Sequence, residues 1–368
     1  MTFNKEVIKN DEKAIFALRS LYRKYGYRQY KMSKFEEYDL YARNKDFLVS
    51  DGIITFTDIG GKLLALKPDV TLSIIKNSSD DTLNKVYYNE NVYRVSPSSH
   101  GFKEIMQTGL ECIGNIDLYN ICEVIMLAAE SLKAISSDFV LDISHMGLVS
   151  QILSEITDSE KVKKELIKCL GEKSSHEIRR ICASEGIDSS AVELICSLYG
   201  SGDSVIQALK EANLSNECMA HVETLCTINS FLKENDLKNI NFDFSIDCNM
   251  KYYSGVVFKG YIKGIADSVL SGGQYGKLLT RMGKKSDAIG FAVYLDMLER
   301  YDGAGKEYDV DTLLLYDEDA DISALSKNIK MLTDIGTEVL AVRSIPDIKY
   351  RQLLKFTGKG VEILENNG

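Results

Sequence analysis

Apolar positions near the start of the chain recur with a helical period. Residues 11 to 25 place Ala, Leu and Tyr side chains three or four positions apart, which predicts an amphipathic helix. Asn10 or Asp11 is the expected cap, and Gly26 is the expected stop. Short runs rich in β-branched and aromatic residues follow between 47 and 95. We therefore expect one helix followed by an antiparallel sheet.

Strand and helix periodicities then alternate along the chain. Residues 118 to 136 are apolar at helical spacing, and the run FVLDISH after them is typical of a strand. Residues 146 to 236 show repeated helical periodicity without proline. Strand patterns return between 241 and 273, and FAVYLDMLERY (291 to 301) is predicted to form a helix. A strand–helix–strand pattern begins at 308 and runs on to the last residue.

These periodicities predict an α+β protein with an antiparallel sheet flanked by helices. Gly60-Gly61 lies between two strand-like runs and suits a hairpin turn. The expected organisation is a core over 1–145 and 237–302, a helical insertion over 146–236, and a small, truncated α/β domain over 308–368.

Composition and charge exclude several classes of protein. Lys and Arg total 44 against 54 for Asp and Glu, a net charge of −10, which argues against a nucleic-acid partner and makes tRNA binding less favourable. The eight cysteines form no C-x-x-C pair, so we expect reduced thiols and neither a metal nor a cofactor. No stretch has the length of a signal or membrane segment, so a cytoplasmic protein is expected.

Four stretches in a fixed order carry a family resemblance. They are LKPDVT (66–71), VYRVSPSSHGFKEIMQTGLECIG (92–114), DCNMKYYSGVVFKGY (247–261) and SGGQYGKLLTRMGKKSDAIGFAVYLDML (271–298). Together they resemble histidyl-tRNA synthetases over roughly residues 10 to 300. The resemblance implies a class II aminoacyl-tRNA synthetase fold, and SKFEEYDLY (33–41) is similar to the stretch near the dimer interface of that family.

The positions that bind ATP phosphates in that family are partly lost. Arg94 matches the arginine of its second motif, but Ser96 stands where that motif has a glutamate. Met297 and Cys248 stand where the family has an arginine for the distal phosphate and an arginine credited with activating the amino-acid carboxylate. Each lost guanidinium of this kind typically costs on the order of 100 to 1000-fold in rate. Lys251 is not expected to replace the lost arginine, because an ammonium is a point charge and lacks the planar, bidentate donors of a guanidinium.

The positions that bind histidine in the family are largely kept, although Lys67 replaces an arginine. The matching residues of this chain are Asp69, Thr71, Gln107, Glu111, Tyr252, Tyr253, Gly272 and Gly273. Structural alternatives remain open, because the tyrosine pair suits a strand, Glu111 suits a solvated strand position, and Asp69 after Pro68 suits a turn. Arg94 either binds an anion or pairs with a surface carboxylate, and His100 suits a solvent-exposed loop.

A synthetase-like body without the nucleotide arginines resembles the regulatory subunits of ATP phosphoribosyltransferase, from the first step of histidine biosynthesis. The resemblance implies a chain without catalytic residues that joins a short-form catalytic subunit, forms a homodimer or a larger hetero-oligomer, and confers feedback by free histidine. The alternatives are an active histidyl-tRNA synthetase and a synthetase-like protein that senses tRNA or histidine. Residues 308–368 carry no basic stripe and are short for an anticodon domain, which weakens both.

Overall fold

The computed structural model describes residues 8–48, 52–80, 82–95, 101–246, 252–299, 308–357 and 360–367. The predictions for four residues fall outside these ranges: Ser96, His100, Cys248 and Lys251. The chain divides into two compact units, Met1–Tyr301 and Asp302–Gly368.

The first unit mixes helices and strands. Its helices are α1 (Asn10–Lys24), α2 (Tyr38–Arg43), α3 (Thr71–Asn77), α4 (Leu118–Ile135), α5 (Met146–Ile156), α6 (Glu160–Gly171), α7 (Ser175–Glu185), α8 (Ser190–Ser197), α9 (Gly202–Glu211), α10 (Asn216–Glu234), α11 (Gly276–Arg281) and α12 (Asp296–Glu299). Its strands are β1 (Arg28–Gln29), β2 (Phe35–Glu37), β3 (Thr55–Thr57), β4 (Leu63–Leu66), β5 (Asn84–Val95), β6 (Phe102–Gly114), β7 (Phe139–His145), β8 (Tyr199–Gly200), β9 (Ile240–Asp243), β10 (Val256–Ile262), β11 (Leu270–Gln274) and β12 (Asp287–Tyr294).

The first helix forms where the sequence predicts it, but its cap differs. The N-cap residue is Lys9, one position before the expected Asn10. The Lys9 backbone N–H donates to the Glu12 carboxylate over 3.0 Å, so an acidic side chain inside the first turn satisfies the helix start. At the other end Gly26 takes a φ of +83°, a conformation that glycine adopts without strain, and the helix stops before it as predicted.

A nine-stranded sheet forms the centre of this unit. Its strand order is β1-β5-β6-β12-β11-β10-β7-β9-β8, and its pairs are antiparallel except for β1–β5 and β7–β9. One face packs on α1 and α4, as where Tyr22 meets the Phe291 ring edge-on at 6.0 Å. Consecutive residues along a strand point to opposite faces of the sheet, so Gln107, Gly109 and Glu111 on β6 face away from this core. The predicted α+β class is confirmed.

A separate three-stranded sheet, in the order β2-β4-β3, lies beside α3. The turn between β3 and β4 contains Gly61 at a φ of +82°, which confirms the hairpin predicted at Gly60-Gly61. Glu36 on β2 accepts from the Ser73 hydroxyl over 3.0 Å and from Lys76 over 3.1 Å. These contacts tie the small sheet to the helix that carries part of the site.

One predicted helix is wrong. The FAVY residues of FAVYLDMLERY belong to β12, and of the stretch's described residues, which end at 299, only Asp296–Glu299 form a helix. Phe291 and Val293 are both buried in the middle of the sheet. A fully buried strand has apolar residues on both faces, so its short apolar run has no period that separates it from a helix.

Residues 146–236 are mainly helical, from α5 to α10. The stretch also contains β8, which pairs antiparallel with β9 and forms one edge of the large sheet. The proposed division of the first unit into a core and an insertion stays a prediction. No helix in the described part of the chain is both long enough and apolar enough to cross a membrane.

The second unit is a small sheet domain. It contains β13 (Val310–Leu315), α13 (Ile322–Asp334), β14 (Val339–Val342), β15 (Tyr350–Thr357) and β16 (Gly360–Asn366), with strand order β14-β13-β15-β16. β13 pairs in parallel with β14 and β15, and β16 is antiparallel to β15. The parallel β13–α13–β14 connection is the one expected from the sequence.

Candidate functional site

A cavity of about 410 Å³ opens on the sheet face opposite α1 and α4. Seven of the eight predicted histidine-binding residues line it: Asp69, Thr71, Gln107, Glu111, Tyr252, Tyr253 and Gly272. Arg94 lines it as well. They come from α3 and the loop before it, from β6 and β11, and from the segment before β10. Gly273 lies beside the cavity without lining it. Residues far apart in sequence therefore meet at one place.

Glu111 lies at the acidic end of this cavity. Its side chain is 2% exposed and accepts hydrogen bonds from the Thr71 hydroxyl over 2.8 Å and from the Tyr275 hydroxyl. No ion pair joins Glu111 to a cation among the described residues. Burial raises the pKa of Glu111 to about 8, and the two hydrogen bonds counter only part of that rise. The solvated-strand alternative for Glu111 is therefore wrong.

Asp69 is the second carboxyl group at this end. Its side chain accepts from the Leu72 backbone N–H over 2.8 Å, in the first turn of α3. Burial raises the pKa of Asp69, while this hydrogen bond and the charge of Arg94 lower it. Asp69 therefore shapes the start of α3 and also lines the cavity, so the two interpretations are compatible and its role in binding stays a prediction.

Gln107 contributes a buried polar atom that has no partner in the described chain. The side chain is 3% exposed, and its Nε2 atom has no hydrogen-bond acceptor. Buried amide groups are satisfied in the great majority of folded proteins. Because Gln107 lines the cavity, the acceptor is expected from a ligand.

Aromatic rings form one wall of the cavity. Tyr252 and Tyr253 meet edge-on at 4.7 Å between ring centroids, and Tyr252 also contacts the rings of Tyr275 (5.9 Å) and Phe47 (6.1 Å). Tyr88 joins them from β5. Such rings enclose a planar ligand while presenting hydroxyl groups at their edges. The two tyrosines named from the sequence therefore belong to a larger aromatic set.

The glycines leave room for neighbouring protein groups. A Cβ atom on Gly273 would lie 2.8 Å from the Tyr253 ring, so this glycine admits the tyrosine. A Cβ atom on Gly272 would lie 2.4 Å from the Gly290 carbonyl oxygen on β12. Gly290 itself was missed by sequence reasoning: its Cβ would lie 1.7 Å from a Glu111 carboxylate oxygen. Strand register identifies its role, because Gly290 on β12 lies directly opposite Glu111 on β6.

The positions matched to arginines of the family differ from the acidic end. Lys67 is buried in an ion pair with Glu90 at 2.5 Å and does not line the cavity. The Arg94 Nε donates to the Pro68 carbonyl over 3.1 Å. Met297 packs against the main hydrophobic core and offers no cation. Of these three positions, only Arg94 lines the cavity.

Sequence reasoning also missed Tyr275, Tyr88 and Lys259 as lining residues. A signal was present for Tyr275, which follows the glycine pair in SGGQY. The described residues contain no group of three or more His, Cys, Asp or Glu side chains that could hold a metal ion. Seven cysteines in the described chain are free thiols.

Comparison with known proteins gives the family. The histidyl-tRNA synthetase family model matches residues 4–298. A curated ATP phosphoribosyltransferase regulatory subunit from Caldanaerobacter subterraneus is 30% identical over 289 residues, covering 76% of this chain and 75% of that protein. One of the same name from Oceanobacillus iheyensis is 29% identical over 284 residues, covering 74% and 69%.

Solved structures have the same fold. A Bacillus halodurans protein described as an ATP phosphoribosyltransferase regulatory subunit/histidyl-tRNA synthetase superposes with a TM-score of 0.73, at 23% identity, over 96% of both chains. A chain of the ATP phosphoribosyltransferase (HisG:HisZ) complex from Thermotoga maritima gives 0.62, at 23% identity, over 77% of this chain and 97% of that one. The chain therefore belongs to the histidyl-tRNA synthetase family and, within it, to the ATP phosphoribosyltransferase regulatory subunits.

Proposed function

We propose that this chain is the regulatory subunit of an ATP phosphoribosyltransferase, in the first step of histidine biosynthesis. It assembles with a short catalytic subunit in the cytoplasm, and free histidine is its effector. The similarity to curated regulatory subunits over about three quarters of the chain supports the assembly role. The cavity supports the choice of effector.

The observation that carries the histidine assignment is the acidic end of the cavity. Glu111 is buried and Asp69 is half-buried, and no ion pair to either is found in the described chain. A ligand with an ammonium group and an imidazole N–H supplies the donors that these carboxyl groups need. The unpartnered Gln107 Nε2 and the aromatic wall suit the rest of such a ligand. Histidine combines all of these groups in one small molecule.

The proposed role is non-catalytic. Met297 gives no guanidinium for a distal phosphate, and the sequence has Cys248 at the other arginine position. We expect no histidine-dependent exchange of pyrophosphate into ATP by the isolated chain. Exchange at the rate of a synthetase would support the active-enzyme alternative instead. The variant Cys248→Arg with Met297→Arg need not restore activity, because Ser96 and the supporting contacts still differ.

The complex is tested by size-exclusion chromatography with light scattering on the chain, on the catalytic subunit of the same organism, and on their mixture. We expect the isolated chain to be at least a dimer and the mixture to form a larger, more active assembly that histidine inhibits. Inhibition requires that histidine bind the inactive state more tightly, by a coupling free energy of about 1 to 3 kcal/mol. A monomer that ignores the catalytic subunit would contradict the proposal. Titration with tRNA tests the remaining alternative.

A further inference from the structure

The cavity has a second side that the predicted histidine-binding residues do not account for. Lys259 lines it from β10, together with the hydroxyl-bearing Ser268 and Ser271. These side chains offer donors and a positive charge, whereas the acidic end offers acceptors. The cavity therefore has opposite polarity on its two sides.

Strand register places both sides on one face of the sheet. Lys259 pairs with Ser271, Ser271 with Ala292, and Ala292 with Gly109. The next row on the same face contains Glu111 opposite Gly290. Lys259 and Glu111 therefore lie three strand spacings apart across the sheet, about 14 Å at about 4.8 Å per spacing, and two residues, about 7 Å, apart along the strands. The lysine side chain and an amino-acid ligand together cover this distance.

Small residues form the floor between the two sides. Larger side chains at these positions would fill the space between Lys259 and Glu111, and none is present at the three that line the cavity: Ser271, Ala292 and Gly290. Gly290 is constrained further, because a Cβ atom there would overlap the Glu111 carboxylate. A ligand held at the acidic end thus has space to extend along the sheet toward Lys259.

Arg94 is a weaker candidate for an anionic group of the ligand. Its guanidinium donates to the Pro68 carbonyl, and its charge acts on Asp69 and Asp296. This places it beside the acidic end, where carboxyl groups offset its charge. Lys259 also has an acidic neighbour, because its register partner on β7 is Asp142. Asp142 accepts from the Asn241 amide over 3.2 Å, and an ammonium has three donors, so Lys259 can serve both Asp142 and a ligand.

We propose that Lys259, assisted by Ser271, binds the carboxylate of the amino acid in this cavity. The inference rests on the proposed function, because it concerns how the same pocket recognises its effector. Cys248 stands where the family has an arginine for that carboxylate, and Lys259 supplies a positive charge from β10. The ligand is thereby held at both ends, with its donors on the carboxyl groups and its anionic group on the lysine.

The test compares histidine with histidinol, in which a hydroxymethyl group replaces the carboxylate. Calorimetric titration of the wild-type chain should give histidine a 10 to 100-fold tighter Kd, the effect of one charge-assisted hydrogen bond. In Lys259→Met the affinity for histidine should fall to that for histidinol, while histidinol binding stays within about threefold. Lys259→Arg should keep most of the preference. Lys263→Met is the matched control, because Lys263 follows β10 and is 83% exposed outside the cavity.

The outcomes separate this inference from the proposed function. If Lys259→Met keeps the wild-type preference for histidine, the lysine assignment is overturned and the histidine site stands. An equal loss of histidine and histidinol, with the thermal unfolding midpoint unchanged, would also overturn it. If neither compound binds the wild type, the proposed effector fails and the lysine assignment fails with it. Should Lys259→Met unfold, Ser271→Ala provides the second variant, with a smaller loss expected for histidine alone.

Inorganic phosphate distinguishes the ligand's own carboxylate from a separate anion. On our proposal, phosphate competes with histidine in the wild type but not with histidinol, and the competition is lost in Lys259→Met. Simultaneous binding of phosphate and histidine that depends on Lys259 would assign the basic side to a second anionic ligand, and would overturn the carboxylate assignment.

Discussion

Two buried glutamates illustrate the difference between a structural region and a binding region of this protein. Glu123, on α4, is 3% exposed and pairs with Lys85 at 2.6 Å. Glu111, on β6, is as deeply buried but is held only by hydroxyl groups. A buried carboxylate with its cation is satisfied by the fold, and one without a cation raises its pKa and favours a cationic ligand. The partner of each glutamate therefore indicates its role.

The largest expected effect is on the structural side. Lys85→Met leaves Glu123 buried without a cation and should lower the free energy of unfolding by about 3 kcal/mol. Urea denaturation of the unliganded chain measures it. Lys133→Met, which removes an exposed ion pair on the same helix, should cost less than about 1 kcal/mol. Equal losses in the two variants would remove the distinction between buried and exposed pairs.

The next effect is on the binding side. Glu111→Gln keeps the shape of the side chain but cannot ionise to pair with a cationic ligand, and should weaken histidine binding and histidine inhibition by about 10 to 100-fold without dissociating the complex. Calorimetry and activity assays of the complex measure both quantities. Glu104→Gln is the control, since Glu104 lies exposed on the same strand outside the cavity. Unchanged inhibition in Glu111→Gln would place the sensor elsewhere.

Per pH unit, the pH dependence of stability gives a smaller effect. Folded Glu111 keeps its proton up to a pKa of about 8, whereas its ordinary value is 4.5. The unliganded folded state thus binds more protons, and its stability falls as pH rises between these values, by up to about 1.4 kcal/mol per pH unit. The contribution is fully present below pH 4.5 and lost above pH 8. Urea denaturation at several pH values should show a shallower slope in Glu111→Gln, and parallel slopes would contradict the prediction.

The smallest effect concerns one hydroxyl group. Tyr275→Phe removes a donor to Glu111 and should raise the pKa of that carboxyl further. Histidine affinity should fall by about fivefold, corresponding to one hydrogen bond of about 1 kcal/mol. Calorimetric titration measures it, with Tyr25→Phe as a control at the end of α1. A loss as large as that of Glu111→Gln would show that Tyr275 contacts the ligand itself.

Much of the fold and of the site follows from local sequence signals. Helical spacing predicts α1 and α4, and Gly61 predicts the β3–β4 turn. The ordered motifs indicate the family, and they name seven of the residues that line the cavity. These features depend on periodicity, backbone conformation or motif order, all of which are present in a single chain.

Other features were decided by the tertiary structure. Motif order matches Lys67 to a pocket arginine of the family, but packing buries it against Glu90. Gly290 and Lys259 belong to the site through strand register with residues distant in the chain. Phe291 lies in a strand because it pairs with Leu110 on β6 and Gly272 on β11, both distant in the chain. Amino-acid sequence determined which chemical groups were available, and long-range pairing decided which of them share the cavity, because register and burial depend on contacts that no local pattern contains.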